Sequence, residues 1–192
     1  MKTYGGHYLK STELRALGLR SVGEDVRLHS TCVMVGLENL SIGSHARIDA
    51  FSCLLPGEGH IAIGDHVHIA AGVFLSGAEG IEIGDFVGLS HGVQVYTRND
   101  DYTGEALTGP TVPERFLKID KGAVRFGRHV VVGASSIVLP GVEIGEGATV
   151  GALSLVKSSL PGWTIYAGVP ARRLRERSRN LLDLEQRLRE AD

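Results

Sequence analysis

Apolar residues recur along much of this chain every six positions, commonly with glycine directly after them. From Phe126 the sequence divides without remainder into FGRHVV, VGASSI, VLPGVE, IGEGAT, VGALSL and VKSSLP. The fifth place of the first five hexads holds a small or β-branched residue: Val130, Ser136, Val142, Ala148 and Ser154. The same form returns upstream as VGEDVR from Val22, IGSHAR from Ile42, IGDHVH from Ile63 and IGDFVG from Ile83, continued by the hexads at Ile48, Ile69 and Leu89. An amphipathic helix repeats at three and four, and a half-buried strand at two. A strict six fits neither. It predicts a solenoid with one short strand per hexad and a tight corner between strands, three hexads to a triangular turn. The upstream openings lie 20, 21 and 20 residues apart, against 18 from Phe126 to Ile144. The early coils therefore carry extra corner residues. About six coils are predicted, each advancing about 4.8 Å, the spacing of paired strands.

Two stretches leave the repeat. Residues 96–123 are polar and contain Pro and Gly, yet also hold Tyr96, Tyr102, Leu107, Val112 and Phe116. Long excursions from a compact repeat are commonly functional, and this one is too apolar for a mere linker. After Pro170, Leu174, Leu181, Leu184 and Leu188 share one helical face among arginines and acids. The expected organisation is a lead-in over 1–21 with a short helical turn at STELRALG, a β-helix over 22–162 with a loop insertion at 96–123, and a C-terminal segment with an α-helix over 163–192. The fold class is all-β.

Composition narrows the function. Glycine supplies 26 of 192 residues, about twice the usual share. Aromatics make up 6%, so the core is built from aliphatic and small side chains. Twenty basic residues against 22 acidic ones argue against a nucleic-acid partner. Two cysteines cannot form a disulfide framework or a four-ligand zinc site, which points to a reducing, cytoplasmic setting. No apolar run of about 18 residues or signal-peptide core is present, so no membrane association is expected.

The hexads, together with VGASSIVLPGVEIGEGATVGALSLVKSSLPGWTIYAGVPARRLR, resemble the hexapeptide-repeat acyltransferases. That resemblance implies a left-handed parallel β-helix, acetyl-CoA as co-substrate, and a homotrimer with active sites between subunits. YLKSTELRALGLRSVGEDV, IDAFSCLL, HIAAGVFLSG, DDYTGEALTGPTVP and IYAGVPARRLRERSRNLLDLE are most similar to viosamine N-acetyltransferases. The activity implied is acetylation of the amine of a nucleotide-linked amino sugar, dTDP-4-amino-4,6-dideoxyglucose, within polysaccharide biosynthesis. The alternatives are a sugar O-acetyltransferase of the galactoside or maltose type, and a non-catalytic or carbonic-anhydrase-like trimer.

Sugar-acetylating relatives carry a basic histidine in the loop after a coil, and Asp100 stands at that place. A sugar hydroxyl needs a base of near-neutral pKa, which an ordinary carboxylate is not unless burial raises it. A neutral amine attacks a thioester unaided and needs only a proton acceptor afterwards. The change from histidine to aspartate therefore favours N-acylation. Candidate acceptors are Asp100, Asp101, His68 and His91, with Asp49 as a further amine or sugar contact. By the resemblance, Ala134 and Ala152 leave room for the pantetheine arm, and Lys157, Arg172 and Arg175 meet the coenzyme phosphates. Backbone amides after Gly133 or Gly151 supply donors for the developing oxyanion. His60, His66 and His68 are the only clustered histidines, and the second ligand pair of the carbonic anhydrases is absent. No metal is expected.

Overall fold

The computed structural model describes residues 5–191. The hexads form short strands that stack, coil upon coil, into three parallel sheets around one narrow core. The first sheet takes Arg27–His29, Arg47–Ile48, His68–Ile69, Gly88–Leu89, Val131–Val132, Thr149–Val150 and Thr164–Ala167. The second stacks Val33–Met34, Cys53–Leu55, Phe74–Ser76, Gln94–Tyr96, Ile137–Val138 and Leu155–Val156. The third stacks Ser21–Val22, Leu40–Ile42, Ile61–Ile63, Ile81–Ile83, Val124–Phe126 and Glu143–Ile144. These make six complete coils, and Leu160 (bridged to Ile144) and Thr164–Ala167 begin a seventh.

The first and fifth places of the hexads are the core. Phe126, Val130, Val132, Ser136, Val138, Val142, Ile144, Ala148, Val150, Ser154, Val156 and Leu160 are all buried. Polar members are satisfied locally: Ser136 Oγ and Ser154 Oγ both donate to the Gly151 carbonyl, at 3.0 and 2.7 Å. Buried hydroxyls need such partners. Because strand residues alternate in direction, each sheet also has an outward set. The third sheet's is polar, with Glu82 and Arg125 joined at 3.0 Å. The second sheet's is apolar, through Val33, Phe74, Ile137, Leu139 and Leu155. The first sheet's carries the charged groups described below.

Both ends of the first sheet are closed by antiparallel strands. Tyr8–Lys10 pairs with Arg27–His29, and Arg172–Glu176 pairs with Thr164–Ala167. An unpaired strand edge recruits backbone, and this accounts for a departure from the helical pattern. Leu174 lies in the closing strand, and among the described residues after Pro170 only Leu181–Ala191 is helical. Strand pairing thus continues past residue 162. At the other end Ser11–Ala16 forms the expected short helix, with Leu14 in the core.

One corner is lined by a stack of rings. His45, His66, Phe86 and His129 occupy left-handed backbone positions in successive coils, with ring centroids 4.7, 4.8 and 5.1 Å apart. The next coil places Gly147 at this corner, also left-handed, and the Trp163 ring lies across it; an added Cβ would stand 2.5 Å from that ring. The C-terminal helix is fastened here. Glu185, buried, accepts from His129 Nε2 at 2.7 Å, pairs with Arg128, and is reached by Arg189 at 2.8 Å. Arg177 donates to the carbonyls of His129 and Gly147 at 2.7 and 3.1 Å. Burial of Glu185 works to raise its pKa, but the bonds from His129 and Arg189 outweigh it and hold the group ionised.

The residues of the 96–123 insertion beyond Tyr96 leave the second sheet on a hairpin, Arg98–Asp100 against Ile119–Lys121. Its base is fixed by Thr97 Oγ1 donating to the Ser76 carbonyl at 2.8 Å and Arg98 Nε to Glu79 at 2.5 Å. At its tip Tyr102, Leu107 and Phe116 are exposed.

Gly147→Ala should lower stability by about 1–3 kcal/mol, combining left-handed strain with overpacking. Because Trp163 is the single tryptophan, its fluorescence should shift as the ring is expelled. Melting curves and emission spectra indistinguishable from those of the unchanged protein would refute this reading of the corner.

Candidate active site

Four side chains converge on the outward face of the first sheet. Asp49 follows the strand Arg47–Ile48, His68 belongs to the next coil, and Tyr8 comes from the closing strand. Tyr8 donates its hydroxyl to Asp49 Oδ1 at 2.5 Å, and Arg47 Nε donates to the same oxygen at 2.7 Å. Arg47 Nη2 donates to the Tyr8 hydroxyl at 3.0 Å, its guanidinium 5.3 Å from the ring centroid. His68 Nε2 meets Asp49 Oδ2 at 2.9 Å. Asp49 is 14% exposed and His68 53%. Partial burial works to raise the Asp49 pKa, but bonds from Tyr8, His68 and Arg47 overcome it and bring the group from 3.8 to about 2.

An ionised carboxylate only accepts hydrogen bonds, so the His68 Nε2 facing it carries the proton. In the neutral ring Nδ1 is then the acceptor, and it makes no hydrogen bond among the described residues. Asp49 thereby orients His68 as a proton acceptor aimed outward. Gly88 is paired with His68 in the next coil. A Cβ there would meet nothing within 4 Å, so space opens beside the imidazole. Ala70 and Ser90 take the places below Asp49 in the next two coils.

The other candidates fall in three places. His91 is exposed at the corner between the first and second sheets, its carbonyl accepting from Ser135 at 2.9 Å. Ala134 and Ala152 lie on the same corner in the two following coils, Leu153 donating to the Ala134 carbonyl at 2.9 Å. His91, Ala134 and Ala152 thus line one strip. Lys157 ends the second sheet, and Ala171 donates to the Leu155 carbonyl at 2.8 Å, which brings Arg172 to the same end of the solenoid. Arg172 and Arg175 are exposed on the closing strand, whereas Arg177 and Arg179 are taken up by corner carbonyls and by the Trp163 ring. Asp100 and Asp101 lie on the insertion, and neither makes a hydrogen bond to His68 or Asp49 among the described residues. Asp100 is exposed in the hairpin stem. Asp101 caps a turn: Thr103 Oγ1 donates to it at 2.8 Å and the Glu105 amide at 3.0 Å. Those bonds, Thr103 first, hold its pKa below the usual value.

No local motif in the sequence points to Tyr8 or Arg47. Arg27, Arg47 and His68 share one hexad place, 20 and 21 residues apart, a signal visible only when outward positions are aligned as carefully as inward ones. No group of three or more His, Cys, Asp or Glu side chains suited to a metal ion occurs among the described residues.

Known proteins share both the sequence and the coil. Residues 123–152 match the family described as the hexapeptide repeat of succinyl-transferase. The dTDP-4-amino-4,6-dideoxy-D-glucose acyltransferase of Escherichia coli is 40% identical over 178 residues, 93% of each chain. This chain is a hexapeptide-repeat acyltransferase. Among solved structures, the N-acyltransferase AntD of Bacillus cereus superposes on this acyltransferase with a TM-score of 0.92 and 40% identity, covering 96% of this chain and 97% of that one. That crystal holds dTDP and 3-hydroxybutyryl-CoA. The putative lipopolysaccharide biosynthesis O-acetyl transferase WbbJ of Escherichia coli K12 is 33% identical over 137 residues, 70% of the acyltransferase and 67% of WbbJ.

Because Asp49 titrates lower in the folded chain than its ordinary 3.8, the network stabilises the fold above about pH 4 and is lost as pH falls toward 2. Asp49→Asn should lower the melting temperature by a few degrees at pH 7 and flatten the loss between pH 4 and 2. An unchanged pH profile of melting would contradict the network.

Proposed function

We propose that this acyltransferase moves the acetyl group of acetyl-CoA onto the 4-amino group of dTDP-4-amino-4,6-dideoxyglucose. The observation that carries the reading is the 40% identity, over 93% of each chain, with an acyltransferase named for that sugar. A form of AntD crystallised with dTDP-4-amino-4,6-dideoxyglucose and coenzyme A adds support. Solved forms of AntD carry replacements of an aspartate and of a serine ten positions before it. This chain has Ser90 ten positions before Asp100.

The amine nitrogen attacks the thioester carbonyl, a C–N bond forms, and the C–S bond breaks to release the coenzyme thiolate. The nitrogen becomes acidic only after bonding to carbon, so a carboxylate suffices to take its proton, which passes on to the thiolate. We assign that proton to Asp100. His68, held by Asp49, is the second acceptor along the sugar's path. Asp101 and His91 line the approach. Ala134 and Ala152 leave room for pantetheine, and Lys157, Arg172 and Arg175 meet the coenzyme phosphates.

The active form is a homotrimer with sites between subunits. Its support is the apolar outward face of the second sheet and the exposed Tyr102, Leu107 and Phe116 on the insertion, surface that a lone chain leaves wet. The two free cysteines fit a reducing cytoplasm. The likeness to WbbJ favours a second reading, O-acetylation in polysaccharide biosynthesis.

Thiol release from acetyl-CoA decides between them. Release with the dTDP-linked amino sugar and none with its 4-hydroxy counterpart is expected, and the reverse would establish the O-acetyl reading. Asp100→Asn should slow turnover about 100-fold or more with the acetyl-CoA KM unchanged. A larger loss in His68→Asn would move the proton to the imidazole.

A further inference from the structure

Cations line up on the N-terminal half of the first sheet. In paired registers Lys10 stands beside Arg27, Arg27 beside Arg47, Arg47 beside His68, and His68 beside Gly88. Past Gly88 the same place holds Val131, Thr149 and Ile165, so the basic column ends where the gap beside His68 begins. We propose that Lys10, Arg27 and Arg47 hold the diphosphate of the nucleotide sugar and set its sugar against His68.

Strand pairing spaces these cations about 4.8 Å apart along the sheet. The two phosphates of a diphosphate share one bridging oxygen, so cations of adjacent coils can each take one. Arg47 is already fixed by Asp49 and Tyr8, which leaves its Nη1 without a partner among the described residues and a pre-set fork for an anion. Arg27 is exposed, with no ion pair among the described residues. A cavity of about 350 Å³ lies against it, lined by Asp25, Arg27, His45, Ala46 and Arg47. Its one acid, Asp25, is turned to His45 at 3.7 Å. Asp49 is committed to Arg47 and His68. With a net charge of −2 over the whole chain, this is a local concentration of positive charge and no general basic surface.

The inference rests on the nucleotide-sugar reading and adds a direction to it. A second basic group, Lys157, Arg172 and Arg175, sits at the opposite end of the solenoid. Two phosphate-bearing substrates would then enter from opposite ends and meet between the third and fourth coils. Coenzyme A also carries a diphosphate, so the test has to separate the two.

Calorimetric titration of dTDP, thymidine and coenzyme A into Arg27→Gln does so, with Arg125→Gln on the third sheet as the charge control. The dTDP Kd should rise roughly ten- to a hundredfold, the worth of a charge-assisted bond. Thymidine and coenzyme A should stay within twofold, and Arg125→Gln should change none of the three. Inorganic pyrophosphate should compete with dTDP on the unchanged protein. An unaltered dTDP Kd, or a loss of coenzyme A affinity in its place, overturns the assignment. If Arg27→Gln loses dTDP as expected while the unchanged protein gives no thiol release with the amino sugar, only the acceptor reading falls.

Discussion

Everything in this molecule depends on coils that stack in register. Each short strand hydrogen-bonds to its counterparts in the coils above and below, so a residue at one place of a hexad stands over the same place of the last. Inside, this forces a column of aliphatic and small side chains, since rings would not fit at every level. At the corners it forces repeated left-handed backbone, carried by residues as unlike as Asp25, His45, Phe86 and Ser135. Outside, the same constraint arranges side chains in rows about 4.8 Å apart, and there chemistry is free to vary.

The inward half of this arrangement was legible in the sequence. Apolar openings every six residues, commonly followed by glycine, located the strands and the core, and the loss of that pattern after Val95 marked the insertion. The closing strand was not legible. Leu174 fits a helical face with Leu181 and Leu188, and only the unpaired edge of Thr164–Ala167 tells that its segment pairs as a strand. The site was half legible. His68 stands out as a histidine on an outward place, but its meaning comes from Asp49, 19 residues earlier, and from Tyr8, which a reversed strand lays beside them. Contacts of that kind follow from coil stacking and end-capping, and no local motif announces them. The attachment of Glu185 to His129, 56 residues away, is likewise announced by no local motif.

The chemistry follows from the nature of the nucleophile. An amine supplies its own lone pair, so the protein has to align two substrates, provide a carbonyl-oxygen donor and accept one proton late. Alignment is the larger task, and in the proposed arrangement a rigid solenoid performs it by giving each substrate a row of its own. The small residues Ala134 and Ala152 share one corner of successive coils, and Arg27 and Arg47 stand in register on the first sheet, the two rows to which the proposal gives the coenzyme and the nucleotide. The hydrogen bonds that Asp49 accepts from its neighbours fix the tautomer of His68 and leave Nδ1 without a partner among the described residues.

In the proposed arrangement the two substrates meet over His68 and Gly88 from opposite ends of the coil. A crystal structure of the protein with coenzyme A and dTDP-4-amino-4,6-dideoxyglucose bound together tests it most directly. The sugar nitrogen is expected within hydrogen-bond reach of Asp100 or His68, the dTDP phosphates against Arg27 and Arg47, and the coenzyme along Ala134 and Ala152. A nucleotide lying on the Lys157 and Arg172 end, or a sugar nitrogen remote from both acceptors, would contradict it.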